Sequence, residues 1–236
     1  MKSIKLVFLM LLIALATFAQ TSTKPKTTTT AKPATAVKGR LVQVTTDYGI
    51  MVIRLYDSTP LHRDNFIKLV KEGFYDSLMF HRIIQTFMIQ GGDPDSKEAP
   101  SGQQLGAGSA PGDRIPAEFR DNIIHKKGAL AAARDDNPEK ASSNCQFYIV
   151  QGQAYNDTTL NEMECGVRQN NPGFTYTPLE RKTYKTIGGV PFLDQNYTVF
   201  GEVIQGLDVI DKIAALPKDG NDRPLQDVRM KMKMLN

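Results

Sequence analysis

The stretch Phe80–Pro94, FHRIIQTFMIQGGDP, decides how this chain is read. It sets one arginine, Arg82, among Phe80, Ile83, Ile84, Phe87, Met88 and Ile89. Gln90 and the turn formers Gly91-Gly92-Asp93 end it. Alternation makes it a strand, with His81, Ile83 and Gln85 on one face and Arg82 and Ile84 on the other. An arginine in such a strand is ordinarily a solvated surface residue. What Arg82 does depends on what the rest of the chain sets beside it.

The 236 residues suit one globular domain with extra segments. Residues 1–19 carry Lys2 and Lys5 ahead of an apolar run from Leu6 to about Ala16, with small residues near Ala19. That layout predicts a cleavable secretory signal. The alternative is an uncleaved membrane anchor, for which the run falls short of the roughly 20 residues a spanning helix needs. Residues 20–38 are Thr, Lys, Pro and Ala with little to bury, and read as a disordered linker. Lys2, Lys5, Lys24, Lys26, Lys32, Lys38 and Arg40 precede residue 41, and all 25 acidic residues follow it. The basic balance belongs to the leader, and the slightly acidic body gives no nucleic-acid surface. Cys145 and Cys165 permit one disulfide in an exported chain, and a free Cys145 fits as well.

Beyond Gly39, Leu41–Thr46 and Ile50–Tyr56 read as a hairpin around Asp47-Tyr48-Gly49. Thr59 as cap, Pro60 at the first position and Gly73 as stop define a helix to about Glu72. Gly102–Gly112 reads as an irregular surface loop, and Gly128–Arg134 as a small-residue stretch. Ser143–Val150 holds Gln146, Phe147 and Tyr148, which alone would be core. Residues 152–188 place Leu160, Met163 and Val167 at helical spacing and read as a helical insertion. Tyr197–Val203, a helix from Gly206 to Ile213 and a strand over Val228–Met234 complete the chain.

Other catalysts are poorly represented. His62, His81 and His125 are scattered, with no ligand cluster, so no metal site is expected. No Gly-x-Ser-x-Gly elbow is present, and Cys145 has no motif-linked histidine.

Phe80–Asp93 closely resembles the signature of the cyclophilins, the peptidyl-prolyl cis-trans isomerases, and Asn144–Val150 is similar to their second motif, with Asn144-Cys145 for Gly-Ser and Tyr148 for Phe. The resemblance runs from about residue 41 to 236 and breaks only at the insertion. It implies a mainly β fold, a closed eight-stranded antiparallel barrel capped by two helices, in a domain over 39–236. It implies Arg82 and Gln90 as catalytic residues. Phe80, Phe87, Met88, Gly106, Ala133, Arg134, Gln146, Tyr148, Phe192, Leu193 and Tyr197 would bind substrate. Of these, Phe87, Met88, Tyr148 and Leu193 would line a proline pocket, and Ala133 with the Arg134 backbone would carry the peptide main chain. Three positions depart from the pattern. Tyr197 stands where many eukaryotic members have histidine, Phe192 replaces the tryptophan that donates to cyclosporin, and Arg134 replaces an asparagine.

Prolyl isomerisation suits such a residue set because it needs neither covalent step, metal nor cofactor. Amide resonance raises a rotation barrier of roughly 18–20 kcal/mol, while the two isomers before proline differ by only about 0.5–1 kcal/mol. A fixed guanidinium can donate to the localised nitrogen lone pair of the twisted amide. An apolar pocket and a carbonyl clamp hold the two sides of the bond. The expected partners are proline-containing segments of unfolded or exported proteins, met by a monomer in a periplasm or outside the cell. The competing reading is a non-catalytic proline-peptide binding module. A barrel carrying an apolar small molecule is disfavoured by the bulk of its interior residues.

Overall fold

A computed structural model describes residues 39–235. The expected signal and the expected linker both lie outside these residues. Eight strands form one antiparallel sheet in the order β3-β4-β6-β5-β7-β2-β1-β8. They are β1 (Arg40–Thr46), β2 (Gly49–Leu55), β3 (Phe80–Ile84), β4 (Met88–Gly91), β5 (Ala129–Ala132), β6 (Phe147–Val150), β7 (Val199–Gln205) and β8 (Lys231–Leu235). The two ends of this order meet just outside the named strands. Met79 bridges Arg229, and the Phe80 and Met230 amides donate to the Val228 and Leu78 carbonyls, each at 2.9 Å. The sheet thus curls into the expected barrel.

The decisive stretch is a hairpin rather than one strand. It turns through Gln85–Phe87, where Thr86 takes a left-handed φ of 62°. Phe80 pairs with Gly91 and Arg82 with Gln90, so a register shift falls at His81. That extra residue turns Phe80 to the inside. Phe80 packs edge-on against Phe147 at 6.1 Å in the barrel core. Its expected place in the substrate site is therefore corrected: without the shift it would share a face with Arg82.

Alternation along the remaining strands sorts residues to two faces. Ile83, Ile89, Leu130, Ala132, Phe147 and Ile149 fill the interior with Val42, Val44, Met51 and Ile53. Met88, Ala129, Ala131, Tyr148, Val150 and Val199 form a second apolar cluster on the other face. The barrel interior is packed with side chains, as expected, and the groove belongs to the outer face.

Helix α1 (Pro60–Lys71) sends Phe66, Leu69 and Val70 into the barrel core. Its C-terminus follows the reading of Gly73: φ is +67° there, Gly73 N–H donates to Val70 O, and Phe74 N–H donates to Leu69 O. Its N-terminus does not follow the reading of Thr59, whose side chain makes no capping bond. Glu118 does that work from far along the chain. Its carboxylate accepts from the Leu61 amide at 3.2 Å, the His62 amide at 3.0 Å and His62 Nδ1 at 2.8 Å. His62 Nε2 reaches Ser142 Oγ at 2.9 Å. This Ser-His-Glu order resembles a hydrolytic relay, but Ser142 is 1% exposed. With no room for an acyl substrate, it is a structural bracket.

Helix α4 (Leu207–Ala214) covers the barrel with Val209, Ile210, Ile213 and Ala214. The insertion is helical as expected, with α2 (Asp157–Asn170) and α3 (Pro178–Thr186). Its apolar side buries Leu160 and Val167 with Phe174, Tyr176 and Tyr184 over Ile124. Cys145 and Cys165 are both free, the first buried and the second exposed. None of the helices among the described residues is long and apolar enough to cross a membrane.

Glu118→Ala removes an acceptor from two backbone amides and strips a buried histidine of its partner. We expect a loss of about 3 kcal/mol in urea unfolding; a loss below about 0.5 kcal/mol would show that the cap is dispensable.

Candidate active site

Antiparallel register builds the site as a row across the sheet. Arg82 of β3 lies opposite Gln90 of β4, Gln90 opposite Tyr148 of β6, and Tyr148 opposite Ala131 of β5. Above this row lies a cavity of about 410 Å³, lined in part by Arg82, Phe87, Met88, Gln90, Tyr148 and Leu193. Gly106, Ala133, Arg134 and Tyr197 also face it. Ten of the thirteen expected site residues therefore meet at one hollow. An adjoining hollow of about 550 Å³ shares Gln90, Gly106, Ala133 and Arg134, and Gln146 lines it. The whole forms a groove with two depressions.

A chain of amide contacts sets the polar edge. Gln146 Nε2 donates to the carbonyls of Gly106 at 3.0 Å and Gly108 at 2.7 Å. Its oxygen accepts from Gln90 Nε2 at 3.3 Å, and Gln90 Oε1 accepts from Arg82 Nη1 at 3.5 Å. Each amide therefore has one orientation that satisfies both of its neighbours. On the other side of the guanidinium, Arg82 Nε lies 3.6 Å from Asp222 Oδ2. Arg82 is thus flanked by Gln90 and a carboxylate while its side chain stays 41% exposed to the groove. The rim loop is pinned where the Gly106 amide donates to Asp93 Oδ2, at a φ of +105° that favours glycine.

Apolar residues close the other side. Met88, Tyr148 and Leu193 are buried, and Phe87 is half-buried. Phe192 is 47% exposed and stacks on Phe87 with ring centroids 5.8 Å apart. It props the rim from outside rather than lining the hollow. Tyr197 meets Tyr148 edge-on at 5.9 Å.

The two expected carriers of the peptide main chain already hold partners within the protein. The Ala133 amide donates to Gln146 O and its carbonyl accepts from Ser143 N–H, so both main-chain groups are already engaged. The Arg134 side chain is also occupied: Nε donates to Asn196 O at 3.0 Å, and the guanidinium lies 4.7 Å above the Tyr197 ring. It braces the pocket wall by a cation–π contact.

Gln103, Gln104, Leu105, Asn221, Asp222 and Arg223 also line the main hollow. No sequence motif marked them. Buried Arg223 ties the two loops together by donating to Pro100 O at 2.9 Å and Gln103 O at 3.2 Å. The only available signal was the Asp-Gly-Asn-Asp turn composition before it, which says loop and nothing more.

Comparison with known proteins fits this geometry. The family model described as cyclophilin type peptidyl-prolyl cis-trans isomerase/CLD matches residues 41–234. A Staphylococcus saprophyticus protein assigned as a peptidyl-prolyl cis-trans isomerase is 34% identical over 184 residues, covering 78% of this chain and 85% of that one. A Streptococcus pyogenes protein assigned as a bifunctional phosphatase/peptidyl-prolyl cis-trans isomerase is 35% identical over 193 residues. That match takes in 80% of this chain and 37% of the longer protein. A solved cyclophilin-type isomerase from Cryptosporidium parvum superposes with a TM-score of 0.59 at 20% identity, over 84% of this chain and 98% of that one. The same protein in the presence of the dipeptide ala-pro gives 0.58 at 21% identity; both show a shared fold. The chain belongs to the cyclophilin-type peptidyl-prolyl cis-trans isomerase family.

His81, at the bulge, is 3% exposed, and burial pushes its imidazole down to about 4. An unfolded histidine titrates near 6.5, so the unfolded chain takes up the proton first. Stability should therefore fall from about pH 6.5 to about pH 4, by up to roughly 3 kcal/mol from this group. His62, also lowered by burial, adds to the same slope. Unfolding free energies of the wild type and His81→Gln across this window check it: the variant should show a shallower slope, and equal slopes would contradict the assignment.

Proposed function

We propose that this chain is an exported peptidyl-prolyl cis-trans isomerase that turns X-Pro bonds by holding a twisted amide beside Arg82. The observation that carries the reading is the row of Arg82, Gln90 and Tyr148 in consecutive register over one hollow. Rotation localises the lone pair on the prolyl nitrogen, and the exposed guanidinium can donate to it. Asp222 restrains that guanidinium while drawing off part of its field, so Arg82 acts more as an aimed donor than as a bare charge. Gln90 holds the carbonyl before the proline. Met88, Phe87, Tyr148 and Leu193 grip the ring, and the Arg134 backbone holds the flanking chain. The bond turns between two anchors, and no covalent step or metal is involved.

Export rests on the expected signal at residues 1–19 and the linker at 20–38, which place the isomerase domain at 39–236 as a bacterial foldase of the cell envelope. Its substrates are then proline-bearing segments of unfolded exported chains, met by a monomer. A second reading is a non-catalytic proline-peptide binder. It draws on the Arg82–Asp222 contact, which moderates the charge that catalysis uses.

Steady-state isomerisation of a short proline peptide separates the two. Arg82→Ala should lower kcat by tenfold or more, about 1.4 kcal/mol of barrier, and Arg82→Lys should restore little, since a point charge lacks the planar fork. A wild type and an Arg82→Ala variant with equal rates would rule out the proposed role. Phe192 carries no ring N–H, so cyclosporin should bind about tenfold more weakly than to Phe192→Trp, the worth of roughly one hydrogen bond. Equal dissociation constants by calorimetry would refute this.

A further inference from the structure

The insertion reaches the groove through one buried carboxylate. Asp194 follows Leu193 of the pocket wall, and its side chain is wholly buried. Oδ1 accepts from the His125 amide at 2.8 Å and from His125 Nδ1 at 2.7 Å. Oδ2 accepts from Tyr176 at 2.7 Å and from Tyr184 at 2.6 Å. A carboxylate has about four lone-pair sites, so this one is filled. Two of the four donors come from the inserted segment.

The other nitrogen of His125 continues the line. With its proton on Nδ1 facing Asp194, Nε2 accepts from the Tyr148 hydroxyl at 2.9 Å. The two rings lie nearly parallel, at 13°. Burial pushes the Tyr148, Tyr176 and Tyr184 phenols up, so each stays protonated and donates. The Tyr148 hydroxyl is thereby turned from the groove, and its ring is left as the pocket surface. Tyr176 Oη also lies 3.0 Å from Pro191 O, behind the turn Pro191–Leu193, so its one proton is shared between that carbonyl and the nearer Asp194 Oδ2.

We propose that Tyr176 and Tyr184 are positioning residues for the proline pocket, acting through Asp194 on Leu193 and through His125 on Tyr148. This rests on reading the groove as the isomerase site, and it gives the insertion a task there. The inserted helices hold the wall against which the proline ring packs. That grip acts alike on ground and transition states, so its loss should appear in KM rather than kcat.

The test uses the full-length chain, a proline peptide, and the variants Tyr184→Phe and Tyr176→Phe/Tyr184→Phe. In the double variant KM should rise fivefold or more with kcat within twofold of the wild type. The ring nitrogen-15 signals of His125 should also shift away from the Nδ1-protonated form. Should the double variant fail to fold, Tyr184→Phe alone decides, with an expected KM rise of at least twofold. An unchanged KM in a folded variant overturns the proposal, as does a rise with His125 signals unmoved. If the wild type binds the peptide without speeding its isomerisation, the isomerase reading fails separately. The peptide dissociation constant then takes the place of KM and decides this inference in the same way.

Discussion

The constraint on which the rest depends is the register of β4 between β3 and β6. Met88–Gly91 is only four residues long, yet it fixes Arg82 opposite Gln90 and Gln90 opposite Tyr148. A slip of one residue in a strand exchanges its two faces. Gln90 would then turn into the apolar interior and Ile89 out to the groove. The core therefore enforces the site: Ile83, Ile89, Phe147 and Ile149 must be inside, and Arg82, Gln90 and Tyr148 are outside as a consequence.

The site sits where a filled barrel leaves room. Its interior is filled by side chains, so the hollow lies on the outer face, where loops from four parts of the chain raise the walls. The rim loop at Gly106 and the turn Pro191–Leu193 bound the hollow, and Asp222 and Arg223 add a polar corner. These loops are tied down by buried polar groups rather than by apolar area. Asp93 holds the Gly106 amide, Arg223 the Pro100–Gln103 carbonyls, and Asp194 the wall that carries Leu193. Buried donors and acceptors left unpaired are costly, which gives each loop a narrow choice of position.

Much of this was legible from residue order because its signals are local or repeat with the period of a strand. Helix α1 was bounded by Pro60 and Gly73, and the resemblance of Phe80–Asp93 to the cyclophilin signature pointed to Arg82, Met88 and Gln90 as groove residues. Long-range matters were not. Glu118 caps a helix that begins nearly 60 residues before it, and no local pattern announces such a partner. Thr59 looked like the cap because its type and position were right. The bulge at His81 was equally hidden, since one extra residue in a strand leaves the apolar count unchanged while moving Phe80 from groove to core. Asp222 and Arg223 lay in a turn whose composition spoke only of backbone. The insertion read correctly as helical, but Tyr176 and Tyr184 within it gave no sign that they share a carboxylate with the pocket wall.

The most direct test of the central claim is a chemical-shift titration of the labelled protein with a short proline peptide, read together with exchange between the peptide's cis and trans signals. The account predicts that Arg82, Gln90, Tyr148 and Leu193 respond together and that the isomers interchange far faster than in free peptide. Shifts confined to surfaces away from β4, or a saturated groove whose bound peptide interchanges no faster than free peptide, would contradict it.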